Sequence, residues 1–235
     1  MIIKGKTVLI TGASGGIGKC LVQEFLNRGA AKIYAADLNV DTLTCHAKIF
    51  PIKLDVTQLA DIENCRQRCS DTDILINNAG VELASPVFSQ SPFKAKLEMD
   101  VNCLGVHNLC VAFWDTLKNK ESAAIINILS IASFVVIPKL ATYCASKAAA
   151  HSITQAFRHE SMDTNVQVFG VYPGYVDTDM TKNIDVEKIT PEQLVINICN
   201  KVETNIIDIF PDAMSSELAR SCWPQTSILD CKFKP

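Results

Sequence analysis

The chain has 235 residues, nearly half of them apolar, which is enough for one α/β domain with a large core. Lys and Arg number 22 against 25 Asp and Glu, a formal charge of −3 with no block of like charge, so neither a nucleic acid nor an anionic membrane surface is expected as partner. The 10 cysteines are scattered through apparent helices and strands without a C-x-x-C, and none of the 4 histidines stands at a metal-ligand spacing from cysteine, so no disulfide framework and no metal are expected.

The first apolar run, in MIIKGKTVLITGASGG, is broken by Gly and Ser before it could serve as a secretory h-region. No stretch reaches the ~18 apolar residues that span a bilayer. A cytoplasmic protein is the expectation. Along the chain, β-branched runs at 6–11, 32–37, 49–55, 73–80, 123–130 and 166–174 read as strands. Several are apolar at consecutive positions, as strands covered on both faces are. Amphipathic stretches alternate with them at 15–28 (ending at Gly29), 57–69, 93–118, 141–162 and 191–203, the last with Pro191 in its first turn. This alternation implies an α/β fold with a single doubly wound parallel sheet of about seven strands flanked by helices, a Rossmann fold. Ligands of such sheets bind beyond the carboxyl ends of the strands, where strand order reverses.

The first strand enters TGASGGIG, where Gly12, Gly16 and Gly18 permit a tight turn and a close backbone approach before a helix whose N-terminus suits a pyrophosphate. Asp37 closes the second strand, placed to accept hydrogen bonds from an adenosine ribose and to repel a 2'-phosphate. Leu38, Asn39, Ser14 and Gly15 supply no cation, so NAD is preferred over NADP. Gly12 to Gly16 also spell the G-x-S-x-G elbow of a hydrolase around Ser14. That elbow requires a later acid, such as Asp177, and then a histidine, yet no histidine follows His159.

With NNAG at 77–80 and Tyr143-x-x-x-Lys147 added to TGASGGIG, the sequence resembles the short-chain dehydrogenase/reductase family. Asp55 in KLDVT, Asn102 in MDVNCLG, Ser130 in INILSIAS and PGYVDT at 173–178 follow in the family's order. The resemblance implies one domain over 1–235 with a short substrate-binding segment at about 178–203, and an oxidoreductase transferring a hydride between NAD and an alcohol or carbonyl substrate. It further implies cofactor contacts from Gly12, Ser14, Gly15, Gly16, Ile17, Gly18, Asp37 and Leu38. Asp55 and Val56 would meet the adenine, and Asn77, Asn78, Ala79 and Gly80 would stabilise the sheet and line the cleft. Pro173, Gly174, Val176 and Thr178 would surround the nicotinamide.

Ser130, Tyr143, Lys147 and Asn102 match the family's catalytic tetrad. Tyr143 would exchange the substrate proton, while Lys147, one turn along the same face, would stabilise the phenolate and hold the nicotinamide ribose. Ser130 would orient the substrate oxygen. Asn102 would hold a water linking Lys147 to solvent. Leu129 and Ser133 depart from the family's usual serine and glycine. Phe134, Val135, Val136 and Ile137, with Tyr175 and Met180, suggest a partly apolar substrate pocket. The tail lacks the family's D-G-G ending, and a homodimer through the helices at 93–118 and 141–162, at Ala145, Ala148 and Ala149, is the smallest expected assembly, with a homotetramer the larger alternative. A non-catalytic NAD-binding regulator would have no need of an intact tetrad.

Overall fold

A computed structural model describes residues 1–43 and 46–222. Seven parallel strands, β1 Thr7–Thr11, β2 Lys32–Asp37, β3 Ile49–Lys53, β4 Ile74–Asn77, β5 Ala123–Ile128, β6 Val166–Val171 and β7 Asp208–Ile209, form one sheet. Their order is β3-β2-β1-β4-β5-β6-β7, so the winding reverses between β1 and β4. The helices are α1 Gly16–Asn27, α2 Leu59–Arg68, α3 Pro92–Met99, α4 Val106–Lys118, α5 Ala141–Glu160, α6 Pro191–Glu203 and α7 Ala213–Cys222.

Strand side chains alternate between the two faces of the sheet, and the core divides accordingly. Ile10 and Ile76 pack with Leu21 and Phe25 of α1 and Leu194 and Ile198 of α6. Leu9 and Leu75, one residue earlier on the same strands, pack with Ile62 of α2 and Leu109 and Phe113 of α4. Both faces are therefore dry, as the continuous apolar runs require. This is the doubly wound Rossmann fold.

Two elements escape the sequence pattern. The two residues of β7 are too few to make an apolar run, and its Asp208 is paired with Arg158 at 2.9 Å. Helix α7 follows Asp212, whose Oδ1 accepts from the Ser215 N–H at 2.8 Å while Oδ2 accepts from the Gly174 N–H at 2.9 Å. The expected continuous helix at 93–118 is also corrected. A π turn at Asp100–Gly105 separates α3 from α4 and buries both Asn102 and Cys103.

The cysteines whose side chains are described are free, with the Cys65 and Cys69 sulfurs 3.9 Å apart across one turn of α2. Cys45, Cys231 and the D-G-G position of the tail lie outside the described residues, and the Cys222 side chain is not described. No described helix is long and apolar enough to cross a membrane. Among the described residues no group of three or more His, Cys, Asp or Glu could hold a metal ion.

A buried polar ladder sets how α5 sits on the sheet. Asn77 Nδ2 donates to Asn127 Oδ1 at 2.8 Å, and Asn127 Nδ2 donates to Thr154 Oγ1 at 2.9 Å. The Thr154 hydroxyl in turn donates to the Ala150 carbonyl at 2.7 Å. All three side chains are at most 2% exposed. Asn127→Leu keeps the branched outline, adds bulk at a fully buried position and strips a partner from each neighbour, so urea unfolding should show a loss of about 2–4 kcal/mol.

Candidate active site

The glycine turn is built by close backbone approach. Gly12 takes φ +64°, and a Cβ there would stand 2.9 Å from Ala79 Cα. At Gly18 a Cβ would stand 2.0 Å from the Gly12 carbonyl oxygen, so no side chain fits where α1 crosses the turn. Asn78 Nδ2 donates to the Thr11 and Gly12 carbonyls at 2.9 and 3.0 Å, which fastens NNAG to the glycine turn. Asp37 accepts from the Ser14 N–H at 2.9 Å and so ties the same turn to the end of β2.

Helix α1 has Gly15 as its N-cap and no side chain caps it. Its first N–H groups and positive dipole end therefore face an open cleft of about 400 Å³. Gly12, Ser14, Gly15, Gly16, Ile17, Gly18, Asp37, Leu38, Asp55, Val56, Asn78, Ala79 and Gly80 all line it, together with Thr178. An uncapped helix start, a turn without side chains and an acid at the end of β2 fit a dinucleotide. Asn77 does not line the cleft and serves the ladder instead.

A second hollow, of about 110 Å³, lies beside the first, and Ile17, Asn78, Gly80, Thr178 and Met180 line both. Ser130, Tyr143 and Lys147 line this hollow with Pro173, Gly174, Tyr175 and Val176. Ser130 follows β5 in extended backbone (φ −170°), and its Oγ accepts from the Ala132 N–H at 3.1 Å, starting a single 3-10 turn. Helix α5 presents Tyr143 and Lys147 from adjacent turns, with Lys147 Nζ 5.8 Å from the Tyr143 ring centre. Lys147 donates to the Ile128 carbonyl at 3.0 Å.

Both side chains are buried, Tyr143 at 9% and Lys147 at 5% exposure. Burial lowers the Lys147 ammonium to about 8. It raises the Tyr143 phenol, which the hydrogen bond from Ser130 pulls down and the charge of Glu82 pushes up further. Loss of hydration disfavours the charged form of each group, which raises the phenol and lowers the ammonium.

Asn102 lines neither hollow. Its Oδ1 accepts from the Val81 N–H at 2.9 Å, and its Nδ2 donates to the Val81 carbonyl at 2.8 Å and to Ser146 Oγ at 3.0 Å. A Cβ at Gly80 would be 3.3 Å from Asn102 Oδ1 and 3.6 Å from Lys147 Nζ, so these groups surround one point.

Phe134 is absent from the lining of both hollows, contrary to its expected place against substrate. It packs at 4.9 Å edge-on to His151 and at 5.0 Å from Tyr172, in a separate apolar cluster with Leu129 and Ala150. Val136 is 78% exposed, whereas Ile137 does line the hollow. Ser133 donates to the Lys147 carbonyl at 3.1 Å, a bond to α5 that glycine could not make. Cys144 packs with Ala132, Leu140 and Tyr143 as core. Within 178–203, Thr178, Met180 and Thr181 line the hollow, while α6 turns its apolar face to α1 and the core.

Sequence reasoning missed Glu82, Leu140 and Thr181 in the lining. An acid two residues beyond NNAG was the available signal for Glu82. No histidine lines either hollow, which leaves a Ser14 nucleophile without the base it would require.

The family model described as short chain dehydrogenase matches residues 6–188. An NADP-dependent 3-hydroxy acid dehydrogenase of Schizosaccharomyces pombe is 33% identical over 193 residues, covering 76% of this chain and 74% of that protein. A short chain dehydrogenase from Burkholderia cenocepacia, solved in complex with NADP, superposes with a TM-score of 0.90 at 35% identity over 94% of each chain. A short chain dehydrogenase/reductase from Burkholderia phymatum, solved with NAD, gives 0.86 at 19% identity over 94% of this chain and 93% of that one, a likeness of fold.

The lowered Lys147 sets a stability test. Between about pH 8 and the ordinary lysine value, the unfolded chain holds a proton that the folded chain has released, so stability rises with pH across that window. Compared with Lys147→Met by urea unfolding, the wild type should gain on the order of 1–2 kcal/mol between pH 7.5 and 9.5. A difference that stays flat over that range would contradict the burial argument.

Proposed function

This chain belongs to the short-chain dehydrogenase family of oxidoreductases, and from that membership we propose that it transfers a hydride between NAD(H) and an alcohol or carbonyl substrate. The observation that carries the reading is the contiguity of the two hollows. The cleft over the glycine turn opens, past Gly80 and Thr178, onto the cavity where Ser130, Tyr143 and Lys147 meet.

A bound nicotinamide supplies the hydride acceptor or donor and, when oxidised, a positive ring charge. The chain's own residues handle the proton. Tyr143 takes it from the substrate hydroxyl during oxidation and returns it to the carbonyl oxygen during reduction. Ser130 donates to that same oxygen and holds the reacting carbon in place. Lys147, with one hydrogen bond committed to Ile128, keeps donors for the ribose and adds positive potential beside the phenol as its proton leaves. Asn102 steadies the backbone at Val81 beside Lys147 and stands where a water could link the ammonium to solvent.

The NAD preference rests on Asp37. Its carboxylate lines the cleft at the end of β2, where a 2'-phosphate would meet negative charge, and the neighbouring Ser14, Gly15, Leu38 and Asn39 offer no cation. NADP in the named relatives belongs to those proteins. An assembly at least dimeric is supported by the outer surface of the helix pair, where Ala145 and Ala148 of α5 and Val111 of α4 are exposed.

Tyr143→Phe should lower kcat for alcohol oxidation, read as NADH formation, by about 10³ and leave NAD affinity within a few-fold by calorimetry. NAD binding without turnover on any alcohol would move the chain to the regulator reading. Wild type should bind NAD at least about tenfold more tightly than NADP. Asp37→Asn, which keeps an acceptor for the Ser14 N–H, should narrow that ratio.

A further inference from the structure

The substrate cavity carries an acidic group with no part in the proton chemistry. Among the described lining residues only Glu82 and Lys147 bear charge, and Lys147 is committed to the Ile128 carbonyl. Glu82 makes no ion pair with any described residue.

The backbone on either side of Glu82 is pinned by buried polar groups. Asn102, 1% exposed, holds Val81 through both its N–H and its carbonyl. Glu98, also 1% exposed, accepts from the Leu83 N–H at 2.7 Å and from the hydroxyl of Thr142, the residue before Tyr143. The loop is therefore fastened both to the π turn and to the start of α5, and it places Glu82 in the lining that Tyr143 shares. Its charge is felt at the Tyr143 phenol. Partial burial and the neighbouring Glu98 raise its own carboxyl, so a cation brought beside it would restore what desolvation removed.

We infer that Glu82 is a specificity-determining residue that favours substrates bearing a protonated amine near the reacting carbon and disfavours those bearing a carboxylate there. The inference rests on the dehydrogenase reading of the same cavity and goes beyond it. A carboxylate beside Glu82 would meet a like charge, the other charged group of the lining, Lys147, being engaged with the Ile128 carbonyl, whereas an ammonium beside Glu82 would gain a charge-assisted hydrogen bond. The chain would then differ from its hydroxy acid relative in the charge of the group it selects.

The test uses three secondary alcohols of matched size, 1-amino-2-propanol, 1,2-propanediol and lactate, on NAD-saturated protein. Saturation-transfer NMR reads their binding without turnover, and NADH formation reads kcat/KM where turnover occurs. Wild type should prefer the amine to the carboxylate by about tenfold or more, with the diol between them. Glu82→Gln should collapse that ratio to within about threefold, and Glu82→Lys should reverse it. Equal binding of the three by wild type, or a preference that survives in Glu82→Gln, overturns the inference. Failure of the underlying reading looks different, because Tyr143→Phe would then leave NADH formation unchanged or NAD would not bind at all.

Discussion

The interaction on which the site depends is the burial of the Lys147 ammonium at the carboxyl end of β5. A buried cation with a single described hydrogen bond is costly to hold, and it stays only because α5 has no freedom to withdraw it. The Asn77–Asn127–Thr154 ladder fixes that helix against β4 and β5, and Ser133 adds a bond to the Lys147 carbonyl. The same restraint holds Tyr143 one turn earlier, so both groups lose hydration together. Their shifts in opposite directions are one consequence of one placement.

The cleft next to this pair is shaped by the absence of side chains. Gly18 lets α1 cross the turn, Gly12 takes a left-handed conformation, and no residue caps the helix start, so backbone dipoles rather than cations face the position suited to phosphate. Asp37 adds the contrasting charge at the other end. It also fixes the Ser14 N–H, so the same acid that lines the cleft holds the turn in shape. The two hollows meet at Gly80, where even a methyl group would press on Asn102 Oδ1.

Loops that line the cavity are not left to themselves. Asp212 holds Gly174 from the start of α7, Glu98 and Asn102 hold the loop after NNAG, and Val176 bridges to Ile189 so that the segment after Gly174 folds back on itself. Each anchor is a polar side chain or a short backbone pairing on an otherwise apolar scaffold. Precise reacting geometry follows from such support more than from the reacting residues alone.

The sequence by itself determined the alternation of strands and helices and the glycine turn with Asp37, because each is encoded within a short window by periodicity or spacing, while the set of Ser130, Tyr143 and Lys147 was legible only through the resemblance to the family. Fourteen residues expected at the cofactor, Thr178 among them, line the cleft, and Ser130, Tyr143 and Lys147 line the hollow beside it. What the windows could not carry was decided by contacts between distant segments. The π turn that buries Asn102, the two residues of β7, the Asp212 bond to Gly174 and the packing of Phe134 against Tyr172 all depend on partners far along the chain. The direction of the Tyr143 and Lys147 shifts belongs with them. Spacing placed the two groups one turn apart, but only packing fixed how much water each lost, and desolvation, not proximity, set the sign.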